Sequence, residues 1–318
     1  MRAGAMDRTE NFMSIITLDS AVAKAKFLKV AFTLKHHLVG NPLFTLPRLV
    51  ALAKAMPRDH IEFNSGKVAV GVKPEDIPQI DMAPEDVIKS IETANAWMVI
   101  KRVEKDPDYK AVLEAFVQEA NIAAGRSAND YSDVEGYIFV SSAKATTPFH
   151  LDAEENILIQ LHGDKFVRTF DNADRKLISE EAMEISPSKH RNQHYEDWYE
   201  NRATLHALKP GDAVHMPYMV PHWVSTGDSY SISMAMTWKT PEVKRLNKIR
   251  LINGTLRHIG LPQKPPGVSP TSDAAKVLAH DAMRLVLDPI RKSDGARKML
   301  RGLIYGKKAN YYMKQEAK

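Results

Sequence analysis

Apolar and polar positions along this chain alternate with two different periods, and the change of period divides it into three parts. Residues 14–130 mix the two. Leu46, Leu49, Val50 and Ala53 recur at helical spacing around Pro47, and Pro57 closes that segment. Ile61–Phe63 and Lys67–Val72 alternate on either side of Asn64-Ser65-Gly66, which predicts a hairpin. Pro84-Glu85-Asp86 opens a helix expected to end near Ala94, its early acids suited to a helix N-terminus. Trp97–Val103 predicts a strand, and Asp106 to Ala124 a longer helix carrying Val112, Phe116 and Ala120.

Residues 131–240 change to short strand-like runs: Gly136–Val140, Asn156–His162, Lys165–Phe170, Thr204–Leu208, Ala213–Met216, His222–Ser225 and Ser229–Trp238. Gly163-Asp164, Pro210-Gly211-Asp212 and Gly227-Asp228 separate them as turns, and many short strands so divided predict a barrel or sandwich. Residues 172–203 interrupt the series with a polar insert carrying His190, Arg191, His194, Trp198 and Tyr199. It is too long for a structureless loop, so it is functional or partly helical.

Residues 241–318 turn helical and basic. Pro262, Pro265, Pro266 and Pro270 mark a rigid linker. Leu278, Ala282, Leu285 and Pro289 form an apolar stripe expected to end at the proline. Ser293 and Asp294 are N-cap candidates for a further helix bearing Ala296, Met299, Leu300, Leu303 and Ile304. Two such stripes predict a helical hairpin, and a homodimer held by residues from about 271 to 305 would bury them. From Pro289 onward nine basic residues face two acidic ones. These lie between the apolar positions and read as a solvated face, not a nucleic-acid site.

Composition narrows the chemistry. The 318 residues carry 44 Lys+Arg against 39 Asp+Glu, with 44% hydrophobic and 26% charged residues, an ordinary globular mix. No apolar run approaches the roughly 18–20 residues of a spanning helix. Cysteine is absent, which removes disulfides, thiolate metal sites and a Cys nucleophile. Met1–Phe12 lacks the apolar core of a secretory signal and reads as an upstream extension, with Met13 an alternative start. A cytoplasmic location is the expectation.

Any metal must therefore sit on His, Asp, Glu or backbone oxygens. His150 and Asp152, in Thr147-Pro148-Phe149-His150-Leu151-Asp152, are two apart and would point to one face of a strand. His222, after a Pro-Gly-Asp turn, supplies a third ligand from a distant strand. Two His and one carboxylate make the facial triad of non-haem Fe(II) oxygenases. Lys165 follows on the next strand, and a lysine inside a barrel is costly unless an anion meets it. A dicarboxylate cosubstrate is such an anion, its far carboxylate meeting Lys165 and a hydroxyl such as Thr147. His215 is expected to be a packed histidine, and His36-His37, His190 and His194 surface residues.

Thr147, His150, Asp152, Asn156, Lys165 and His222 together resemble the JmjC-type, cupin-like branch of 2-oxoglutarate oxygenases, over residues 132–240. The nearest likeness is to the asparaginyl hydroxylase that inhibits hypoxia-inducible factor and its small bacterial relatives. The resemblance implies a mainly β fold: a double-stranded β-helix or jelly-roll barrel over 131–240. An α+β region over 1–130 would support the barrel, and a basic helical region over 241–318 would follow it. It implies Fe(II) on His150, Asp152 and His222, and 2-oxoglutarate and O₂ as cosubstrates. Thr147 and Lys165 would hold the distal carboxylate, Asn156 would stand near the cosubstrate, and Trp238 at a pocket wall, although from the residues alone Trp223 and Trp238 read most simply as core aromatics. Met98 or Val99 falls where the hydroxylase has a tyrosine on 2-oxoglutarate, and Met236 where it has an asparagine. The implied reaction couples decarboxylation of 2-oxoglutarate, giving succinate, to oxidation of a C–H bond in a protein side chain or small molecule. The competing reading is a non-oxygenase cupin, an isomerase or metal-binding sensor, which has no need of Lys165.

Overall fold

The computed structural model describes residues 14–187 and 192–291, with Gly295, Met299 and Gly302 beyond them. The expectations for Met1–Phe12, Met13, His190, Arg191, Ser293, Asp294, Ala296, Leu300, Leu303 and Ile304 lie outside the described residues. In chain order the N-terminal elements are β1 (Ile16–Thr17), α1 (Ser20–Lys26), β2 (Phe32–His36), α2 (Leu46–Ala55), β3 (Ile61–Ser65), α3 (Pro84–Lys89), β4 (Ala96–Lys101) and α4 (Pro107–Ala123). The central elements are β5 (Ser132–Ser141), β6 (Thr146–His150), β7 (Glu155–His162), β8 (Lys165–Thr169), α5 (Glu180–Ile185), β9 (Thr204–Leu208), β10 (Asp212–Met216), β11 (His222–Thr226) and β12 (Ser231–Lys239). α6 (Pro241–His258) and α7 (Pro270–Arg291) follow. No helix of the described residues is long and apolar enough to cross a membrane.

The strands form two antiparallel sheets. The larger has the order β1-β2-β10-β7-β12-β5-β4-β3, and the smaller β6-β11-β8-β9. The order within each sheet does not follow the chain, as a jelly roll requires. The larger sheet also takes strands from the N-terminal third: β2 pairs with β10, and β4 with β5.

Strand alternation sorts side chains into three packed layers. Leu158, Val167, Leu208, Val214, Met216, Val224 and Ala235 come from both sheets and fill the barrel interior. The opposite parity of the large sheet packs against the N-terminal helices: Met98, Ile100, Ile138, Val140, Ile157, Ile159, Met234, Met236 and Trp238 meet Leu113, Phe116 and Val117 of α4. Each such fully buried side chain is worth about 1.5–3 kcal/mol of burial. Asp106 caps α4 through the Asp108 N–H, and Pro107 opens it. On the outer face of the small sheet, Phe149, Leu151 and Phe170 pack against Leu177, Ile178, Met183 and Tyr199 of the 172–203 insert. That insert contains α5 and a 3₁₀ turn over Asp197–Arg202.

Several expectations give way here. β3 pairs with β4, not with residues 67–72. Alternation marks a strand but does not choose its partner. Residues 66–70 instead lie along β6, where Thr146 N–H donates to the Gly66 carbonyl and Phe149 N–H to that of Val70. α3 ends at Lys89, short of Ala94. α7 continues past Pro289 to Arg291. Leu278 and Leu285 on it are 71% and 82% exposed, so this part of the apolar stripe does not pack on the barrel. His37 and His194 are exposed, but His36 is buried. Its Nε2–H donates to the Gln160 carbonyl while Nδ1 accepts from Leu38 N–H, and burial lowers its pKa.

Candidate metal centre and its cavity

β6 and β11 lie side by side with His222 directly opposite His150. The register brings the two rings to 4.1 Å between centroids. Asp152 lies just past the end of β6, and its Oδ2 is 3.7 Å from His222 Nε2. One donor atom from each of His150, Asp152 and His222 lies within 4.8 Å of the others.

The protonation of both rings follows from their backbone partners. His150 Nδ1 is 2.7 Å from the Pro148 carbonyl oxygen, and His222 Nδ1 is 3.0 Å from that of Val220. A carbonyl only accepts, so each Nδ1 donates to it and Nε2 is the ring nitrogen left for a metal. That is the arrangement a metal-ligating imidazole needs. Two imidazole nitrogens and one carboxylate oxygen fit a divalent first-row metal. Asn156 donates to Asp152 Oδ2 at 2.7 Å and so orients the carboxylate.

These residues line one cavity of about 480 Å³, shared with Thr147 and Lys165. Lys165 opens β8, opposite Thr226 of β11. It is 3% exposed and donates to the Ser233 hydroxyl, with its ammonium 5.6 Å from the Phe139 ring centroid. Among the described residues no carboxylate pairs with it. Burial alone pushes its pKa down to about 7. Thr147 Oγ1 accepts from Trp97 Nε1 at 2.8 Å, which leaves the hydroxyl proton to be donated elsewhere.

β3, β4 and the insert also line the cavity. Glu62 and Lys101 form an ion pair at 2.6 Å there, and Ser186, Pro187 and Asn192 contribute from the insert. Trp97, Val99, Tyr137 and Phe139 line the wall. The motif-based reading passes over Trp97, Tyr137 and Phe139 because no motif marks them. The alternation of β4 and β5 was the signal that finds them, since Met98, Ile100, Ile138 and Val140 face the helices. The same parity corrects Trp238. It shares a face with Met234 and Met236, packs against Phe27 and His215, and does not line the cavity; Thr237 does. His215 is fully buried on that face, among Phe27, Phe32 and Trp238, and desolvation pushes its pKa down to about 3.

The sequence profile of the cupin-like domain matches residues 63–243, more than half of the chain. The chain belongs to the cupin-like family. No curated protein sequence matches it. Among solved structures, YcfD of Escherichia coli is 15% identical over 91% of this chain and 72% of its own, with a TM-score of 0.50. At that identity the likeness is one of fold. A second structure of YcfD, described as a ribosomal oxygenase in complex with cobalt and 2-oxoglutarate, is 16% identical over 89% of this chain and 69% of its own, with a TM-score of 0.49. In this cupin-like barrel the triad and Lys165 open onto the same cavity.

Proposed function

We propose that this cupin-like protein is an Fe(II)- and 2-oxoglutarate-dependent oxygenase that hydroxylates a substrate C–H bond. The observation that carries the reading is Lys165: a buried ammonium with no acidic partner among the described residues, lining the same cavity as the His150-Asp152-His222 cluster. A buried cation of this kind is costly unless an anion arrives to meet it. A dicarboxylate with one end on the metal delivers its other carboxylate there. A cupin isomerase or metal sensor has no use for such a group.

His150 and His222 would hold iron through Nε2 and Asp152 through a carboxylate oxygen. When bound, iron with 2-oxoglutarate and O₂ supplies the oxidising power that turns C–H into C–OH, with succinate and CO₂ as products. The chain's own side chains bind and orient. Lys165 donates charge-assisted hydrogen bonds to the distal carboxylate, and Thr147, already an acceptor from Trp97, donates its hydroxyl proton. Leu158, Val224 and Phe139 present apolar surface around that carboxylate and limit water. Asn156 keeps the Asp152 carboxylate in position. Incubation of the full chain with 2-oxoglutarate, Fe(II) and ascorbate should yield succinate. Absence of both succinate formation and 2-oxoglutarate binding overturns the reading.

A second copy of the chain is the proposed partner, through the C-terminal helices. Leu278 and Leu285 are left uncovered on α7, and a two-fold contact between copies removes them from water.

A further inference from the structure

The three candidate ligands stand where two loops meet paired strands, His150 at the end of β6, Asp152 just past it and His222 at the start of β11, and the structure ties those loops together from outside the site. Asp152 sits in the connection from β6 to β7, and His222 follows the connection from β10 to β11. Within the barrel, Met219 N–H donates to the Asp152 carbonyl at 2.9 Å and Tyr218 N–H donates to Glu155 Oε2 at 3.1 Å. From α6, the Asn247 carboxamide touches both loops at once. Its Nδ2 donates to the Ala153 carbonyl at 2.8 Å, and its Oδ1 accepts from the Tyr218 hydroxyl at 2.9 Å. Ala153 adjoins Asp152, and Tyr218 precedes His222 by four residues.

The His222 loop needs such a tie. Met219 is fully buried with φ +60°, a left-handed conformation that a residue with a side chain keeps only when its surroundings hold it. Asn172 adds one hydrogen bond to the Tyr218 carbonyl at 3.1 Å, but it comes from the insert and does not touch the Asp152 loop. Asn247 is the side chain of α6 with one hydrogen bond to each loop. The assignment of its two ends is set by chemistry: a carbonyl accepts only, so the Ala153 side must be the amide nitrogen.

We infer that Asn247 is a positioning residue that fixes the spacing of the Asp152 and His222 loops and thereby sets metal affinity. The inference rests on the metal-centre reading above. It predicts that the ligands stand ready before metal arrives, so that binding need not order the loops. Partners bonded directly to a ligand, as Asn156 is to Asp152, typically change metal affinity 10–100-fold when removed; Asn247 acts one link further back, through Ala153 and Tyr218, so its effect belongs at the lower end of that range.

The test is Co²⁺ titration of the full chain, followed by isothermal calorimetry and by the visible absorption of the bound ion. Asn247→Ala should weaken Co²⁺ binding about tenfold and alter the Co²⁺ spectrum. The melting curve of metal-free protein should stay close to wild type, a combination that a merely structural role does not produce. Asn247→Asp keeps the acceptor for Tyr218 but sets a carboxylate oxygen against the Ala153 carbonyl, so it should lose at least as much affinity as Asn247→Ala. Tyr218→Phe leaves the Asn247–Ala153 bond in place and should cost less affinity than Asn247→Ala, and the double variant should lose less than the sum of the two, since both remove the Asn247–Tyr218 link. His222→Ala is the control. If wild type binds no Co²⁺, or His222→Ala binds as wild type does, the metal-centre reading fails and the inference with it. If that control behaves and Asn247→Ala binds Co²⁺ within twofold of wild type, or loses affinity only by melting early, the positioning role alone is overturned.

Discussion

Replacing Lys165 by Met should separate cosubstrate binding from every other property of the site. Lys165 is 3% exposed, its hydrogen bond goes to the neutral Ser233 hydroxyl, and burial sets its pKa at about 7. Removing one partner of a buried, hydrogen-bonded charge pair costs on the order of 2–5 kcal/mol. At about 1.36 kcal/mol per decade, 2-oxoglutarate affinity should fall roughly 30- to 5,000-fold. Metal affinity should hardly change, because Lys165 is not among the converging ligand atoms. The sign of the pH dependence follows from linkage. The distal carboxylate favours the protonated lysine, so the pKa in the complex rises above its value of about 7 in the free protein. Affinity is then full below pH 7 and falls about tenfold per unit above it, until the pKa of the complex is reached. Lys165→Met should abolish this slope. Lys165→Met also removes an unpaired buried ammonium, so its melting temperature should exceed that of wild type at pH 6, with a smaller gain at pH 9. Calorimetric titration of the Co²⁺-loaded protein with 2-oxoglutarate at pH 6, 7 and 9 reads all of this except melting. An affinity for 2-oxoglutarate within threefold of wild type, with the pH slope retained, refutes the role of Lys165.

Three further outcomes are expected. His150→Ala and His222→Ala should abolish succinate formation while leaving the barrel folded, and should erase the thermal stabilisation by Co²⁺, which for wild type at 100 times Kd is about 2.7 kcal/mol; turnover within twofold of wild type would remove the triad assignment. Gly163→Ala should lower stability by about 1–3 kcal/mol, because φ is +68° and a Cβ there would lie 2.2 Å from the Tyr230 carbonyl oxygen, two residues before Lys165; unchanged denaturant unfolding would contradict this. The full chain should scatter light at near twice 35.7 kDa, and a Leu278→Arg, Leu285→Arg variant should run as a folded monomer; a wild-type monomer at micromolar concentration would leave the exposed α7 face without a partner copy.

By itself, the sequence determined the local and the chemical. Short alternating runs between Gly-Asp and Pro-Gly-Asp turns appear as β7 to β12, close to the expected limits. The spacing of Val112, Phe116 and Ala120 made α4 legible, since periodicity is a property of neighbours in the chain. His150, Asp152, Lys165 and His222 could be singled out because their chemistry is unusual in a barrel strand. Pairing was beyond its reach. β3 chose β4, and β2 joined β10, because partners are selected by cross-strand packing over 30 or more residues of intervening chain. Trp97 and Phe139 became cavity wall, and Trp238 became helix-facing core, through strand parity that a motif match does not record. The tie from Asn247 to both ligand loops depends on where α6 packs, and nothing local to residue 247 announces it. Periodicity and residue chemistry are written along the chain, whereas register, facing and contact arise only when distant segments bury their surfaces against one another.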